Sequence, residues 1–229
     1  LIAMVCLLAA DAGAQRLMEK LGRGVVAVNQ GDGKVYVGWR LLGTDPDDIA
    51  FNLYRSAGDA EPVKLNKEPI SKSTNFADTG VNLGESNSYF VKPVLKGAER
   101  ASSAVFTLRA NAPARQYISI PLATPAGYTP NDASVGDLDG DGEYEIVLHQ
   151  AGRGRDHSQP GVTTEPILEA YKLNGTFLWS INLGKNIREG AHYTQFMVYD
   201  LDGDGRAEVA CKTADGTIDG QGKAIGDPK

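Results

Sequence analysis

The sequence predicts an all-β protein in two parts. Three observations carry this. Short apolar runs bounded by Gly, Pro, Asn and Asp turns recur between Val25 and Leu108. A short linker, Asn111-Ala112-Pro113-Ala114, follows them. Beyond it, two copies of one acidic loop, each set between strand-like runs, stand 63 positions apart, beginning at Asp137 and Asp200.

The first ten residues, Leu1 to Ala10, form an apolar segment, and Ala12-Gly13-Ala14 is a small-residue cleavage pattern ahead of Gln15. Residues 1–14 are therefore expected to be a signal peptide that begins inside its own apolar stretch, since no Met and no basic segment precede it. Export to the periplasm or beyond is expected, with no stable membrane anchor, because the segment is too short to span a bilayer. Cys6 follows Val5, a poor match to a lipoprotein signal. After cleavage Cys211 alone would remain, which excludes a disulfide framework and reads as a small buried residue.

Residues 15–111 read as one β module. Val25–Val28, a turn over Asn29–Gly33, and Val35–Leu41 predict a hairpin. Further strands are predicted at Phe51–Arg55, Ser88–Val94 and Ala104–Leu108, with turns at Asp45–Asp48, Ser56–Asp59 and Leu95–Ala98. About seven short strands in such a length suggest a β-sandwich, and the order of Trp39 and Tyr89 suggests a fibronectin-III-like one. Trp39 is expected in the core, and Tyr89 in a corner hydrogen bond. No chemistry is legible here.

Residues 112–229 carry the loops. Asp137, Asp139 and Asp141 in the first, and Asp200, Asp202 and Asp204 in the second, occupy loop positions 1, 3 and 5. Glu145 and Glu208 follow at position 9. Calcium takes about six to eight oxygens, and alternate carboxylates with a carbonyl at position 7 can surround it. An EF-hand needs a chelating residue at position 12, where this chain has Leu148 and Cys211. The flanking runs Gln195–Tyr199, Tyr144–Leu148 and Ala207–Cys211 read as strands, so each loop joins two strands. A strand pair that recurs at this interval fits a β-propeller with an enlarged blade, the insertion lying between Gln150 and Ala170. Two blades cannot close a ring, so the sequence is expected to be truncated.

Two longer runs carry a family resemblance: Tyr128-Thr129-Pro130-Asn131-Asp132-Ala133-Ser134-Val135-Gly136 leading into the first loop, and Asn186-Ile187-Arg188-Glu189-Gly190-Ala191-His192-Tyr193-Thr194-Gln195-Phe196 leading through the second loop to Cys211-Lys212-Thr213-Ala214-Asp215-Gly216-Thr217. Together they resemble polysaccharide lyase family 11, the bacterial rhamnogalacturonan lyases, and the preceding module resembles that family's N-terminal β-sheet domain. The resemblance implies an eight-bladed propeller, bound calcium, and cleavage of the rhamnogalacturonan I backbone of pectin by β-elimination between rhamnose and galacturonate. In one place the chain departs from the pattern: His149-Gln150-Ala151 stand where some members carry a Lys-Trp-Asp-like run, so endo and exo action both stay open unless Asp156 replaces the missing acid.

β-Elimination requires that the uronate carboxylate be neutralised and the C5 proton taken by a base. Candidates for binding the polyanion are Asn131, Arg153, Arg155, His157, Arg188, His192 and Lys212, with Asp132 beside the first. Each has a plainer reading as a solvated loop charge, a hydrogen-bonded blade residue or a turn cap. The general base is expected in later blades. Net charge is −6 with no basic run, which argues against nucleic acid. The chain is expected to act as a monomer. The competing readings are a non-catalytic carbohydrate-binding or adhesion propeller, and a glycoside hydrolase, for which no free carboxylate pair stands out.

Overall fold

The computed structural model describes residues 19–190 and 192–227; the signal-peptide segment with Cys6, residues 15–18, Ala191 of the second run and the last two residues lie outside them. The described residues form strands and turns with no helix, so the all-β expectation holds. In particular, no described helix is long and apolar enough to cross a membrane.

The first group of strands is β1 (Val26–Gly31), β2 (Lys34–Gly38), β3 (Ala50–Ala57), β4 (Val63–Lys64), β5 (Asn75–Thr79), β6 (Asn87–Leu95), β7 (Ala98–Glu99) and β8 (Phe106–Leu108). The predicted hairpin is present, turning at Gly31-Asp32-Gly33, where all three residues take positive φ. One sheet runs β1-β2-β5; the other runs β4-β3-β6-β7, with β8 on β6. Alternate residues of both sheets, among them Val35, Val37, Leu53 and Val91, meet in one core. Trp39 is in that core, edge-on to Phe51 at 5.5 Å between ring centres. Tyr89 departs from expectation. Its hydroxyl donates to the Asp78 carboxylate at 3.0 Å rather than closing a corner, and Asp78 is shared with Arg55 at 2.7 Å. Burial, with the Asp78 charge, drives the Tyr89 phenol far above its ordinary range. β5 has no apolar alternation to reveal it; it is held by pairing with β2 and by that buried Asp78.

The second group is β9 (Thr129–Gly136), β10 (Glu145–Ala151), β11 (Ile167–Lys172), β12 (Phe177–Asn182), β13 (Phe196–Tyr199), β14 (Glu208–Cys211), β15 (Thr217–Ile218) and β16 (Ala224–Ile225). β9 to β12 pair antiparallel in sequence order, and β15 and β16 extend the β12 edge. β13 and β14 form a separate hairpin. One face of the meander packs on this hairpin through Val147, Ala170, Val198 and Ala207, with Trp179 and Phe196 beside them. The approach is close at Gly136, where a Cβ would lie 2.5 Å from Ala207 Cβ and 2.7 Å from Val198 Cγ1. The expected enlarged connection is the stretch 152–166 between β10 and β11. Cys211 is a free, half-buried thiol whose pKa burial pushes up, as for an inert core cysteine.

Candidate metal loops and the cationic end

The two acidic loops are superimposable hydrogen-bond patterns. In the first, Asp137 accepts from the Gly140 and Gly142 amides at 2.7 and 2.8 Å. Asp139 accepts from Asp141 N at 3.2 Å, Asp141 from Glu143 N at 2.8 Å, and Glu145 from Leu138 N at 2.8 Å. In the second, Asp200 accepts from Gly203 and Gly205 at 2.6 and 3.0 Å, Asp202 from Asp204 N at 3.1 Å, Asp204 from Arg206 N at 2.9 Å, and Glu208 from Leu201 N at 2.7 Å. Gly140, Gly142, Gly203 and Gly205 all take positive φ, which lets the chain fold back so that its amides face the carboxylates. The loops touch, since Ala207 N donates to the Asp137 carbonyl at 2.7 Å.

The backbone amides take one oxygen each of Asp139, Asp141 and Glu145, and of Asp202, Asp204 and Glu208, and leave the other open; Asp141 and Asp204 stand outside the tight groups that the remaining ligands form. Ligand oxygens of Asp137, Asp139 and Glu145 lie within 4.8 Å of one another, as do those of Asp200, Asp202 and Glu208. An all-oxygen, carboxylate-rich set of this kind suits a hard divalent cation. The first loop displays where a cation sits: Lys172 Nζ lies 2.7 Å from Asp139 Oδ2, 2.7 Å from Asp141 Oδ2 and 3.5 Å from Glu145 Oε1, the oxygens that the backbone leaves open. Lys172 is carried there by register, as the cross-strand partner of Glu145. Its hydrogen bonds to Asp139 and Asp141 raise its pKa well above the ordinary lysine range. Burial raises Asp141, but the Lys172 ammonium and the Glu143 amide outweigh it and leave that carboxyl below its usual value. Glu145 is pushed up by its own burial. Among the described residues no Lys or Arg pairs with Asp202, Asp204 or Glu208, so the second loop keeps its inward oxygens clear of a protein cation.

The expected substrate-side residues lie at the other end of the strands. The β9–β10 and β13–β14 connections are the acidic loops, so Thr129, Ala151, Phe196 and Cys211 mark the opposite end. β10 alone has seven residues, which at about 3.3 Å each separates the two ends by roughly 20 Å. Arg153, Arg155, His157, Arg188 and His192 gather there, around the 152–166 connection. Arg188 holds it: Nε donates to the Arg155 carbonyl at 3.1 Å, Nη1 to Gly161 at 3.2 Å, and Nη2 to Asp156 at 2.8 Å and Gln159 at 2.5 Å. Arg153 is exposed and reaches the Val162 carbonyl at 3.3 Å. Arg155 is half-buried, and its Nε has no hydrogen-bond partner. His157 is 77% exposed, 2.9 Å from Asp156, whose carboxyl is lowered chiefly by the Ser158 amide and further by His157 and His192. His192 is exposed, edge-on to Tyr193. Asn131 and Asp132 are exposed where β9 bulges opposite His149, and Lys212 is exposed just past β14.

Sequence reasoning passed over Glu189 and Lys172. Glu189 is 3% exposed and its Oε2 lies 3.1 Å from Nε2 of His149, equally buried, so this pair ties β10 to the Arg188 segment. Beside it Gln150 donates to Glu169 at 2.7 Å and Tyr171 donates to the same carboxylate at 2.6 Å. His149 and Gln150 are thus interior residues.

The family model for the C-terminal domain of rhamnogalacturonan lyase family 11 matches residues 112–229, and that for the β-sheet domain of rhamnogalacturonan I lyases matches residues 16–108. The rhamnogalacturonan endolyase YesW of Bacillus subtilis strain 168 is 51% identical over 233 residues, which cover 97% of this chain and 35% of that protein. The exolyase YesX of the same strain is 49% identical over 224 residues, 93% of this chain and 35% of that one. Among solved structures, a Bacillus licheniformis rhamnogalacturonan lyase superposes with a TM-score of 0.82 at 52% identity, over 93% of this chain and 36% of that one. The chain thus spans about a third of the length of the relatives it matches.

Proposed function

Because the chain belongs to rhamnogalacturonan lyase family 11, we propose that the protein cleaves the rhamnogalacturonan I backbone of pectin by β-elimination at galacturonate, with the cationic end of its strands as part of the substrate face. In that reaction the C5 proton leaves to a base, a C4–C5 double bond forms and the C4–O bond breaks. Charge grows on the neighbouring carboxylate, where fixed cations are most effective. The observation that carries the reading is the gathering of Arg153, Arg155, His157 and His192 around one connection whose shape Arg188 holds. Arg153 and Arg155 would bind the uronate carboxylates, with Asn131 and Lys212 flanking them. Similarity to YesW and to YesX is nearly equal and favours neither endo nor exo action.

Calcium is the ion we assign to both acidic loops, held by Asp137, Asp139, Asp141 and Glu145 and by Asp200, Asp202, Asp204 and Glu208. When bound it would supply positive charge that fixes these turns. At roughly 20 Å from the cationic end, these loops are too distant to neutralise a carboxylate there. Their work is structural. We read residues 15–111 as a fibronectin-III-like sandwich and residues 112–229 as successive propeller blades: the meander β9–β12 is the first, and β13–β14, with its repeated acidic turn, begins the next. A cleaved signal over residues 1–14 and an exported monomer complete the proposal.

The test is incubation of the protein with rhamnogalacturonan I, following the absorbance of unsaturated uronate with calcium and with chelator. Rising absorbance is expected. New reducing ends without it would mean hydrolysis, and binding without cleavage would leave a carbohydrate-binding protein; either overturns the lyase assignment.

A further inference from the structure

The two acidic loops share their backbone and differ at two side chains. Positions 7 and 8 are Glu143-Tyr144 in the first and Arg206-Ala207 in the second. At the second loop Lys20 packs against Gly205; at the first the contact is a hydrogen-bonded one. The N-terminal module reaches across to the first loop and grips three consecutive residues. Gly22 N donates to the Gly142 carbonyl at 2.6 Å, and Arg40 Nη1 donates to the same oxygen at 3.2 Å. Arg40 Nη2 lies 3.5 Å from Glu143 Oε2, and Gly24 N donates to Glu143 Oε1 at 3.3 Å. The Arg40 guanidinium also stacks over the Tyr144 ring, 4.3 Å from its centre. Glu19 adds a contact to the Asp137 amide at 3.3 Å. Gly142 has no room for a side chain, since a Cβ there would lie 2.9 Å from Gly22 N.

This grip falls on the part of the loop that an ion orders. Position 7 supplies the carbonyl ligand in such loops, and here that residue, Glu143, has its side chain held by the other module. We propose that ion binding in the first loop and seating of the N-terminal module are coupled, with Arg40 as the residue that joins them and Glu143-Tyr144 as its seat. The inference rests on the calcium reading of the loop. Each event fixes the same peptide, Gly142–Tyr144, so each lowers the ordering cost of the other. Linkage then requires reciprocity: loss of the seat weakens the ion, and loss of the ion loosens the seat.

The test is calorimetric calcium titration of the full chain carrying Asp202→Ala, which removes a ligand of the second loop so that the first loop is read. Arg40→Ala and, separately, Tyr144→Ala are then added, the latter reproducing the residue of the second loop. Coupling predicts affinity lower by about tenfold for each, within the usual range of roughly five- to 150-fold. Plain electrostatics predicts the reverse for Arg40→Ala, because it removes a cation near the site. Unchanged or tighter binding therefore overturns the coupling. Trypsin cleavage at Arg109 and Arg115 between the modules gives the reciprocal arm. Chelation should speed it in the wild-type chain and make no difference in the Tyr144→Ala chain, whose fold near-ultraviolet circular dichroism checks. Equal, chelator-sensitive cleavage in both would likewise overturn it. Absence of calcium heat in the wild-type chain would sink the calcium reading itself, a separate outcome.

Discussion

Asp137 and Asp139 occupy one loop yet should fail in different ways when removed. Asp137 is fully buried and accepts from the Gly140 and Gly142 amides. Asp137→Ala leaves those donors without their acceptor whether or not an ion is present. Hydrogen bonds to a charged group are worth about 1.5–3 kcal/mol each. Gly140 is exposed and regains water, whereas Gly142 is buried, so the expected loss is roughly 3–4 kcal/mol. Asp139 is exposed, accepts one exposed amide and shares the Lys172 ammonium with Asp141, so with chelator Asp139→Ala should cost no more than about 1 kcal/mol. With calcium at a hundredfold over its dissociation constant, the same change forfeits about 2.7 kcal/mol of linkage. At about 2–4 °C per kcal/mol, Asp137→Ala should lower Tm by roughly 6–16 °C in chelator and, because it also removes an ion ligand, by roughly 5–11 °C more in calcium. Asp139→Ala should lower it by no more than about 2–4 °C in chelator and by roughly 5–11 °C more in calcium. Fluorescence melting in a Trp39→Phe background reads Trp179, which lies against the core beneath the loops. Equal losses for the two variants in chelator would refute the division of labour, and a wild-type Tm indifferent to calcium would refute the ion.

Three further outcomes are expected. Lys172→Met should tighten calcium binding at the first loop, because the ion no longer competes with an ammonium at 2.7 Å from Asp139 and Asp141, while lowering Tm in chelator; titration calorimetry of the Asp202→Ala chain reads the first effect. Gly136→Ala should cost about 1–3 kcal/mol in urea denaturation, since its Cβ would overlap Ala207 and Val198. The third concerns pH. The Tyr54 hydroxyl, then Asn52, hold Glu99 down at about 2 from an ordinary 4.5, and Glu99 in turn raises Tyr54 from 10.0 to about 12. A depressed carboxyl stabilises the fold above its unfolded value, and that contribution fades as pH falls from about 4.5 to 2. A raised phenol stabilises below its unfolded value, and that contribution fades as pH climbs from about 10 to 12. Tyr54→Phe should flatten both limbs of the urea midpoint against pH; an unaltered profile would count against the pair.

The acidic loops were legible because their whole geometry is local: the amides that donate to Asp137 and Asp200 lie within five residues, and glycines stand where the chain must reverse. Hairpin β1–β2 was legible for the same reason. What escaped depends on distance along the chain. Lys172 reaches its carboxylates through the β10–β11 register, and Arg40 meets Gly142 across 102 positions. β5 escaped because its buried residue is Asp78, a charge whose partners come from two other strands. Arg188 was picked out as a cation, but residue type alone could not say that its donors would go to main-chain carbonyls.

That last feature bears on how the protein can change. The acceptors that Arg188 uses in Arg155, Asp156, Gln159 and Gly161 are peptide oxygens, which nearly every residue type offers. The shape of the connection is therefore largely independent of the side chains it displays. Arg153, His157 and their neighbours can be exchanged by mutation while the platform beneath them stays put. A single guanidinium thus separates inheritance of the scaffold from variation in what it presents, and a library randomised over 156–160 with Arg188 retained should be rich in folded members.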